Sequence, residues 1–424
     1  MTDTPLLTVV VPTHDRREAV LRLLDALAHQ DVPPSTFQVV VAIDGSTDGT
    51  AQALRQRVDP FGLIVLDRPS QGPAAARNEG ARHAAGRILL FLDDDVRPDA
   101  HLVSAHLALH AESTEAIGIG LLTPVVDTDS LFGKILRYWW TMMQESILSR
   151  GHRFSFKDLL SGHFSIARTR FDELGGFDSN LRCHEDYEFG FRALQAGMDF
   201  RYVAGTDAFH HDDTTIEKAL RRKVEEGMAD VALGRRHPAL VNGLPFAWQG
   251  RTSRKERVFR KIAWFAPRTG DLLARTLRHS LAVFEAASLR FRWRAVLELL
   301  LDYWYWRGVA TVLHHPDNLR ALLATAAPDP APMTVDLASG FAAAEAVLDE
   351  HRPAAAHLVI GKDLVATVPA YAGYERLRGA HLRPLLARWC DLSYLSVAER
   401  HGRMPETLVL LARRFEGVPR REDE

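Results

Sequence analysis

Short unbroken apolar runs alternate with stretches of helical period through the first quarter of the chain. The runs 7–11, 37–43, 62–66 and 88–92 each stop abruptly at polar residues. Runs of this length predict buried strands of a parallel sheet. Between them, residues 17–28 place Val20, Leu21, Leu24, Leu27 and Ala28 on one helical face, residues 51–57 follow a turn-rich segment, and residues 72–85 are Ala-rich after Gly72-Pro73. Strand alternating with helix at this pace predicts an α/β fold with a mostly parallel sheet and helical crossovers.

The pattern changes farther on. A strand is expected at 200–203, a helix charged on one face at 216–236, and a long helical pattern at 268–313. The proline-rich run 326–332 reads as a linker. Beyond it come a helix at 341–348, a hairpin over 357–368 turning at Gly361-Lys362, and a helix over 377–400. The expected organisation is an α/β domain over 1–238, a helical extension over 239–325 and a small α+β module over 333–424.

Composition narrows the function classes. The 424 residues hold 52 basic and 54 acidic side chains, so no net charge draws the chain to nucleic acid. Two cysteines, Cys183 and Cys390, give neither a disulfide framework nor a metal cluster and suit a reducing compartment. The first apolar run is too short for a signal peptide, and no run of eighteen uncharged apolar residues predicts a membrane span. The expectation is a cytoplasmic protein, with peripheral contact at the inner face of a membrane as an open alternative. That alternative comes from the basic, Trp- and Phe-bearing segment 248–266.

Candidate chemistry gathers where strands end. Strand 88–92 runs straight into Asp93-Asp94-Asp95, strand one into Pro12-Thr13-His14-Asp15, and strand two into Asp44-Gly45-Ser46. Ligands of open α/β sheets sit beyond the carboxyl ends of strands, so these residues line one crevice. Three adjacent carboxylates need a cation or donors to offset their repulsion, and hard oxygen ligands suit Mn²⁺ or Mg²⁺. No Gly-x-Gly-x-x-Gly joins strand one to helix one, which argues against a dinucleotide site. Arg77 and Asn78 lie near enough in sequence to help hold a nucleoside diphosphate.

Four segments in this order resemble the family 2 glycosyltransferases of GT-A fold: Val10-Val11-Pro12-Thr13-His14-Asp15-Arg16, 44–50, 72–80 and Phe91-Leu92-Asp93-Asp94-Asp95. The resemblance implies a donor site of Pro12, Thr13, Asp44, Arg77, Asp93 and Asp94 for a nucleoside-diphosphate sugar. It implies a metal site of Asp93 and Asp95 completed by a histidine from His210-His211, with either one eligible. His184-Glu185-Asp186-Tyr187-Glu188 is similar to the family's Glu-Asp motif, so Asp186 takes the role of general base and Glu185 that of its neighbour and orienter. His163 and Trp140 are acceptor-side candidates, with core packing as the alternative for both. The resemblance implies inverting transfer of a sugar to a hydroxyl of a glycan, polysaccharide, lipid-linked or small acceptor. A catalytically silent sugar-nucleotide or glycan-binding module and a sugar-phosphate nucleotidyltransferase are the rival readings.

Overall fold

A computed structural model describes residues 4–126, 128–206, 208–248, 253–389, 397 and 399–402. Cys390, with residues 391–396 and 398 of the helix expected over 377–400, lies outside the described residues. The chain forms two compact units: Met1–Glu145 with Phe156–Ala326, and Ser146–Ser155 with Ala327–Glu424.

The first unit opens with β1 (Leu7–Thr13), α1 (Arg17–Leu27), β2 (Phe37–Asp44), α2 (Thr50–Arg55), β3 (Gly62–Arg68), α3 (Pro73–Arg82) and β4 (Ile88–Leu92). β1 pairs in parallel with both β2 and β4, and β2 with β3. Leu7, Val9, Val10 and Val11 of β1 are fully buried, as a strand covered on both faces requires. The alternation in the sequence is the alternation in space.

The elements beyond β4 are less evident in the sequence. The chain continues with β5 (Val96–Pro98), α4 (Leu102–Glu112), β6 (Ala116–Ile119), β7 (Thr123–Val125), α5 (Leu131–Leu148), β8 (His163–Ala167), α6 (Arg168–Glu173), α7 (Glu185–Gln195), β9 (Asp199–Tyr202) and β10 (Ala208–His211). The main sheet has seven strands in the order β3-β2-β1-β4-β8-β6-β9. β8 runs antiparallel to β4 and to β6, so the sheet is mixed at this side. A second small sheet, β5-β10-β7, sets His210 opposite Val96, one residue beyond Asp95.

The helical part consists of α8 (Ile216–Arg236), α9 (Arg254–Phe265), α10 (Pro267–Ala286), α11 (Arg290–Leu313) and α12 (Pro316–Ala324). The pattern expected as one stretch over 268–313 is two helices. Ser288 adopts φ +56°, a left-handed conformation that ends the first, and the second starts two residues on. α8 and α11 pack backbone to backbone. A Cβ on Gly227 would stand 2.2 Å from the Tyr305 carbonyl oxygen, and one on Gly308 2.0 Å from that of Val224.

The second unit holds β11 (Met333–Asp336), α13 (Phe341–His351), β12 (Ala356–Ile360), β13 (Asp363–Val368) and α14 (Gly379–Trp389). β12 and β13 form the expected antiparallel hairpin, and β11 joins β12 in parallel. Its core is small, built on Val335, Leu348, Leu358 and Leu382.

Candidate active site

The carboxyl ends of β1, β2 and β4 share one edge of the main sheet, and their polar residues are tied together. Asp15, at φ +48°, accepts from the Thr47 N–H at 2.6 Å, while Asp48 accepts from the Arg17 N–H at 2.9 Å. The second bond satisfies the first donor of α1, and the two together fix the turns to each other. Asp44 spends both oxygens on the loop before α3: Oδ1 accepts from the Gln71 N–H at 2.6 Å, Oδ2 from the Gly72 N–H at 3.0 Å and from Ser70. Pro12 and Thr13 close β1, and Thr13 Oγ1 donates to Asp94 Oδ2 at 2.7 Å.

The three aspartates after β4 therefore diverge. Asp94 is buried, held by Thr13 and by Arg16 at 3.1 Å, and burial lifts its carboxyl to about 6 against the pull of those donors. Asp95 also meets the Arg16 guanidinium and faces His210 Nε2 at 3.4 Å. Burial disfavours its charge, but His210 and Arg16 outweigh that and hold the carboxyl below the usual range. Asp93 turns the other way, accepting from Arg77 Nη2 at 2.6 Å. Beside it Gly162 leaves room that no side chain can fill, since a Cβ there would lie 2.6 Å from Asp93 Oδ2.

Arg77 links the two halves of the site. It sits on α3, buried, and its Nη1 donates to Glu185 Oε1 at 2.9 Å while Nη2 holds Asp93. Burial opposes the guanidinium's charge, yet the Asp93 and Glu185 carboxylates outweigh it and raise its pKa. Glu185 begins α7, where burial and the adjacent Asp186 push its carboxyl up against the attraction of Arg77. Asp186 is less enclosed. Its Oδ2 lies 3.3 Å from the Ser161 N–H, and its Oδ1 accepts from the Tyr187 N–H at 2.9 Å. A carboxylate in the first turn of a helix is also favoured by the helix dipole.

The entry to α7 is braced from behind. His184 adopts φ +61°, and its Nδ1 lies 2.9 Å from Asp230 Oδ1 on α8, whose Oδ2 accepts from the Tyr305 hydroxyl at 2.8 Å. Burial works against a charged imidazole here, but Asp230 prevails and raises His184 to about 10. Nothing in the sequence spacing marked Asp230 or Tyr305, which come from helices far along the chain.

Four expectations need correction. The metal set of Asp93, Asp95 and one histidine of His210-His211 is only partly gathered, because Asp93 is engaged by Arg77 while the two histidines, successive in an extended strand, point oppositely. Only Asp95 and His210 face each other, while His211 lines a neighbouring cavity with Arg22 and Asp95. Among the described residues no group of three or more His, Cys, Asp or Glu side chains is placed to hold a metal ion. Asn78 is not a diphosphate ligand: its amide pairs with the Phe177 backbone, donating at 2.8 Å and accepting at 2.9 Å. His163 is not an acceptor residue either, since it is buried with Nε2 3.0 Å from His106 Nε2 and Nδ1 3.1 Å from the Leu121 carbonyl. Glu185 is held by Arg77 rather than directed at Asp186, so it does not act as an orienter by direct contact. Trp140 donates from Nε1 to Asp212 Oδ2 at 3.0 Å, and its ring lies 5.1 Å from that of His210.

Carboxylates on the carboxyl edge of a mostly parallel sheet, followed by a helical region, define an α/β protein of the GT-A class. The glycosyl transferase family 2 profile matches residues 8–175. The succinoglycan biosynthesis protein ExoO of Rhizobium meliloti is 30% identical over 300 residues, a match covering 65% of this chain and 80% of that protein. The chain belongs to the family 2 glycosyl transferases. A validoxylamine A glucosyltransferase of Streptomyces hygroscopicus subsp. limoneus is 41% identical over 109 residues, 25% of this chain and 24% of the relative, so the chain spans about a quarter of that relative's length. The structure of a mannosyltransferase from Pyrobaculum calidifontis in complex with GDP-Man and Mn²⁺ aligns over 72% of this chain and 87% of the other, at 18% identity and a TM-score of 0.46.

Proposed function

We propose that the protein transfers a sugar from a nucleoside-diphosphate sugar to a hydroxyl acceptor, with inversion at the anomeric carbon. The observation that carries the reading is the bridge from Asp93 through Arg77 to Glu185, which ties the carboxylates after β4 to the start of α7. A site for group transfer needs a donor end and a base end held at fixed separation, and one buried guanidinium supplies that here.

In this reading Asp186 accepts the proton of the attacking hydroxyl as the new bond forms, because an alcohol is a poor nucleophile until a carboxylate takes that proton. Arg77 keeps Glu185 and Asp93 in register without touching the acceptor. Thr13 and Arg16 hold Asp94 and Asp95 beneath the donor. Trp140 offers an aromatic face to the sugar, and Asp212 fixes its ring.

A divalent cation fits this site in part. Asp95 Oδ1 is buried without a hydrogen-bond partner among the described residues and faces His210 Nε2 at 3.4 Å, and carboxylate with imidazole suits Mn²⁺ or Mg²⁺. Asp95 and His210 would hold the ion, and Arg16 would have to share Asp95 with it. Such an ion supplies Lewis-acid stabilisation to a departing diphosphate.

The test is release of nucleoside diphosphate from UDP-, GDP- and dTDP-sugars, with and without chelator, in wild type and Asp186→Asn. A glucosyl donor heads the panel because a matched relative is a glucosyltransferase. Release from one donor that Asp186→Asn abolishes supports the assignment. Release that survives Asp186→Asn removes Asp186 as base. Neither release nor donor binding by calorimetry would favour a module of another kind.

A further inference from the structure

The helices α9 to α11 turn an unusual surface outward. On α9 the exposed residues Arg254, Val258, Lys261 and Phe265 recur at helical spacing, opposite the buried Ala263. α10 repeats the arrangement with Arg268, Leu272, Arg275 and Val283 exposed, opposite Gly270, Ala274 and Leu281. At the start of α11, Phe291 is 91% exposed between Arg290 and Arg292. Large apolar side chains left in water at this density mark an interaction surface.

The charges are one-sided. Residues 254–294 contain eleven Lys or Arg and three acids. All three acids are occupied: Glu256 caps α9 through Ser253, Asp271 accepts from Tyr303 and Arg307, and Glu285 accepts from the Leu131 N–H. Three of the bases, Arg260, Arg278 and Arg294, pair with Asp302, Glu217 and Glu298. The outward stripes of α9 and α10 thus present positive charge with no acid of their own beside it.

From this we infer that α9, α10 and the start of α11 dock on an anionic phospholipid surface. Basic side chains meet the headgroups while Phe265, Leu272, Val283 and Phe291 enter the acyl boundary. Lipid fits better than the other occupants. Val258, Leu272 and Val283 have no flat face on which a base can stack, and a second copy would bring like charge against like. Among the described residues no helix is long and apolar enough to cross a membrane, so contact is lateral. The inference stands whether or not the proposed transfer reaction is correct.

The experiment is co-sedimentation of the full chain with vesicles of phosphatidylcholine alone and of phosphatidylcholine mixed equally with phosphatidylglycerol. Binding to the mixed vesicles alone is expected, falling steeply as salt is raised. Phe265→Ser/Leu272→Ser/Phe291→Ser should lower the bound fraction roughly tenfold or more without changing the melting temperature. Lys261→Glu/Arg268→Glu/Arg275→Glu should do the same by charge alone. The inference is overturned if wild type pellets with neither vesicle, or if binding is indifferent to the serine variant. It is equally overturned if wild type self-associates through this face and the serine variant disperses it, or if nucleic acid rather than lipid competes for it.

Discussion

Arg77 and Glu185 stand 108 positions apart in the sequence, yet a guanidinium nitrogen of one lies 2.9 Å from a carboxylate oxygen of the other in a buried pair. With both partners out of water, removing one leaves the other charged and desolvated, and such losses run to about 3–5 kcal/mol. Arg77→Met should destabilise the protein on that scale, because Asp93 loses its donor too. Denaturant unfolding of Arg77→Met, Glu185→Leu and the double variant reads the coupling. A double variant no more stable than the sum of the singles would mean that the pair is not energetically joined.

Glu185 and Asp186 adjoin in sequence but differ in surroundings, and the difference predicts different failures. Asp186 hydrogen-bonds to Ser161 and to its own helix start, and pairs directly with no cation among the described residues. Asp186→Asn should leave stability within about 1 kcal/mol of wild type, the range for changes that create no buried defect. It should cost roughly a hundred- to ten-thousand-fold in turnover, the usual worth of a general base. Glu185→Gln should reverse the balance, losing stability first. Parallel melting curves and turnover numbers check this, and equal loss of stability in the two variants would contradict it.

How much of the fold and site is legible in the sequence depends on how local each signal is. The strands of the first half and their polar ends could be read because a buried run and its turn are contiguous. Antiparallel β8 was not visible, since His163–Ala167 mixes His and Ser into the core, and those polar groups are satisfied only by α4 and the Leu121 carbonyl, distant in sequence. Asp93, Asp94 and Asp95 could be read as a cluster but not as three separate roles. Their partners Arg77, Thr13 and His210 arrive from α3, β1 and β10. The bracing of His184 by Asp230 and Tyr305 depends on the α8–α11 crossing, which sequence spacing does not encode.

The core histidines form a chain whose proton order can be derived. The Leu121 carbonyl only accepts, so His163 Nδ1 donates to it and Nε2 must accept from His106 Nε2. His106 Nδ1 then accepts from the Ser165 hydroxyl at 2.7 Å, and Ser165 Oγ accepts from His110 Nε2 at 2.8 Å. All three rings are neutral, and burial holds His110 and His163 down at about 4 and His106 well below its usual value. A depressed folded-state pKa gives stability that is complete above the unfolded value of 6.5 and is lost as pH falls toward 4. Each ring accounts for about 3 kcal/mol at most across that window. Urea midpoints between pH 7 and pH 4.5 should fall, and His110→Gln should flatten the slope. An unchanged slope in that variant would remove His110 from the account.

His184 carries the opposite sign. Asp230 raises it to about 10, so its stabilisation is whole below the unfolded value of 6.5 and fades as pH rises through 10. Asp230→Asn should therefore be less stable than wild type at pH 6, with the gap closing toward pH 10. Because His184 directly precedes Glu185 and Asp186, the same variant should lower kcat more than it raises KM. A gap that does not narrow with pH would point to packing rather than charge.

The α8–α11 crossing sets two effects of opposite direction against each other. In an isolated helix Gly→Ala gains about 1 kcal/mol, because Ala loses less backbone freedom on folding. At Gly227 and Gly308 the added Cβ would meet backbone carbonyl oxygens at 2.2 and 2.0 Å, and neither helix can yield without moving whole. Overpacking of that kind typically costs about 1–3 kcal/mol, and here the obstacle is backbone rather than a side chain that can rotate away. Sterics should win, so Gly308→Ala and Gly227→Ala should each lower the denaturation midpoint. Gly62→Ala makes the control, since a Cβ there finds nothing nearer than Gln38 Cβ at 3.7 Å and should change little. If Gly308→Ala were instead stabilising, the two helices would have to lie farther apart than they do here, and the bracing of His184 through Tyr305 would fall with them.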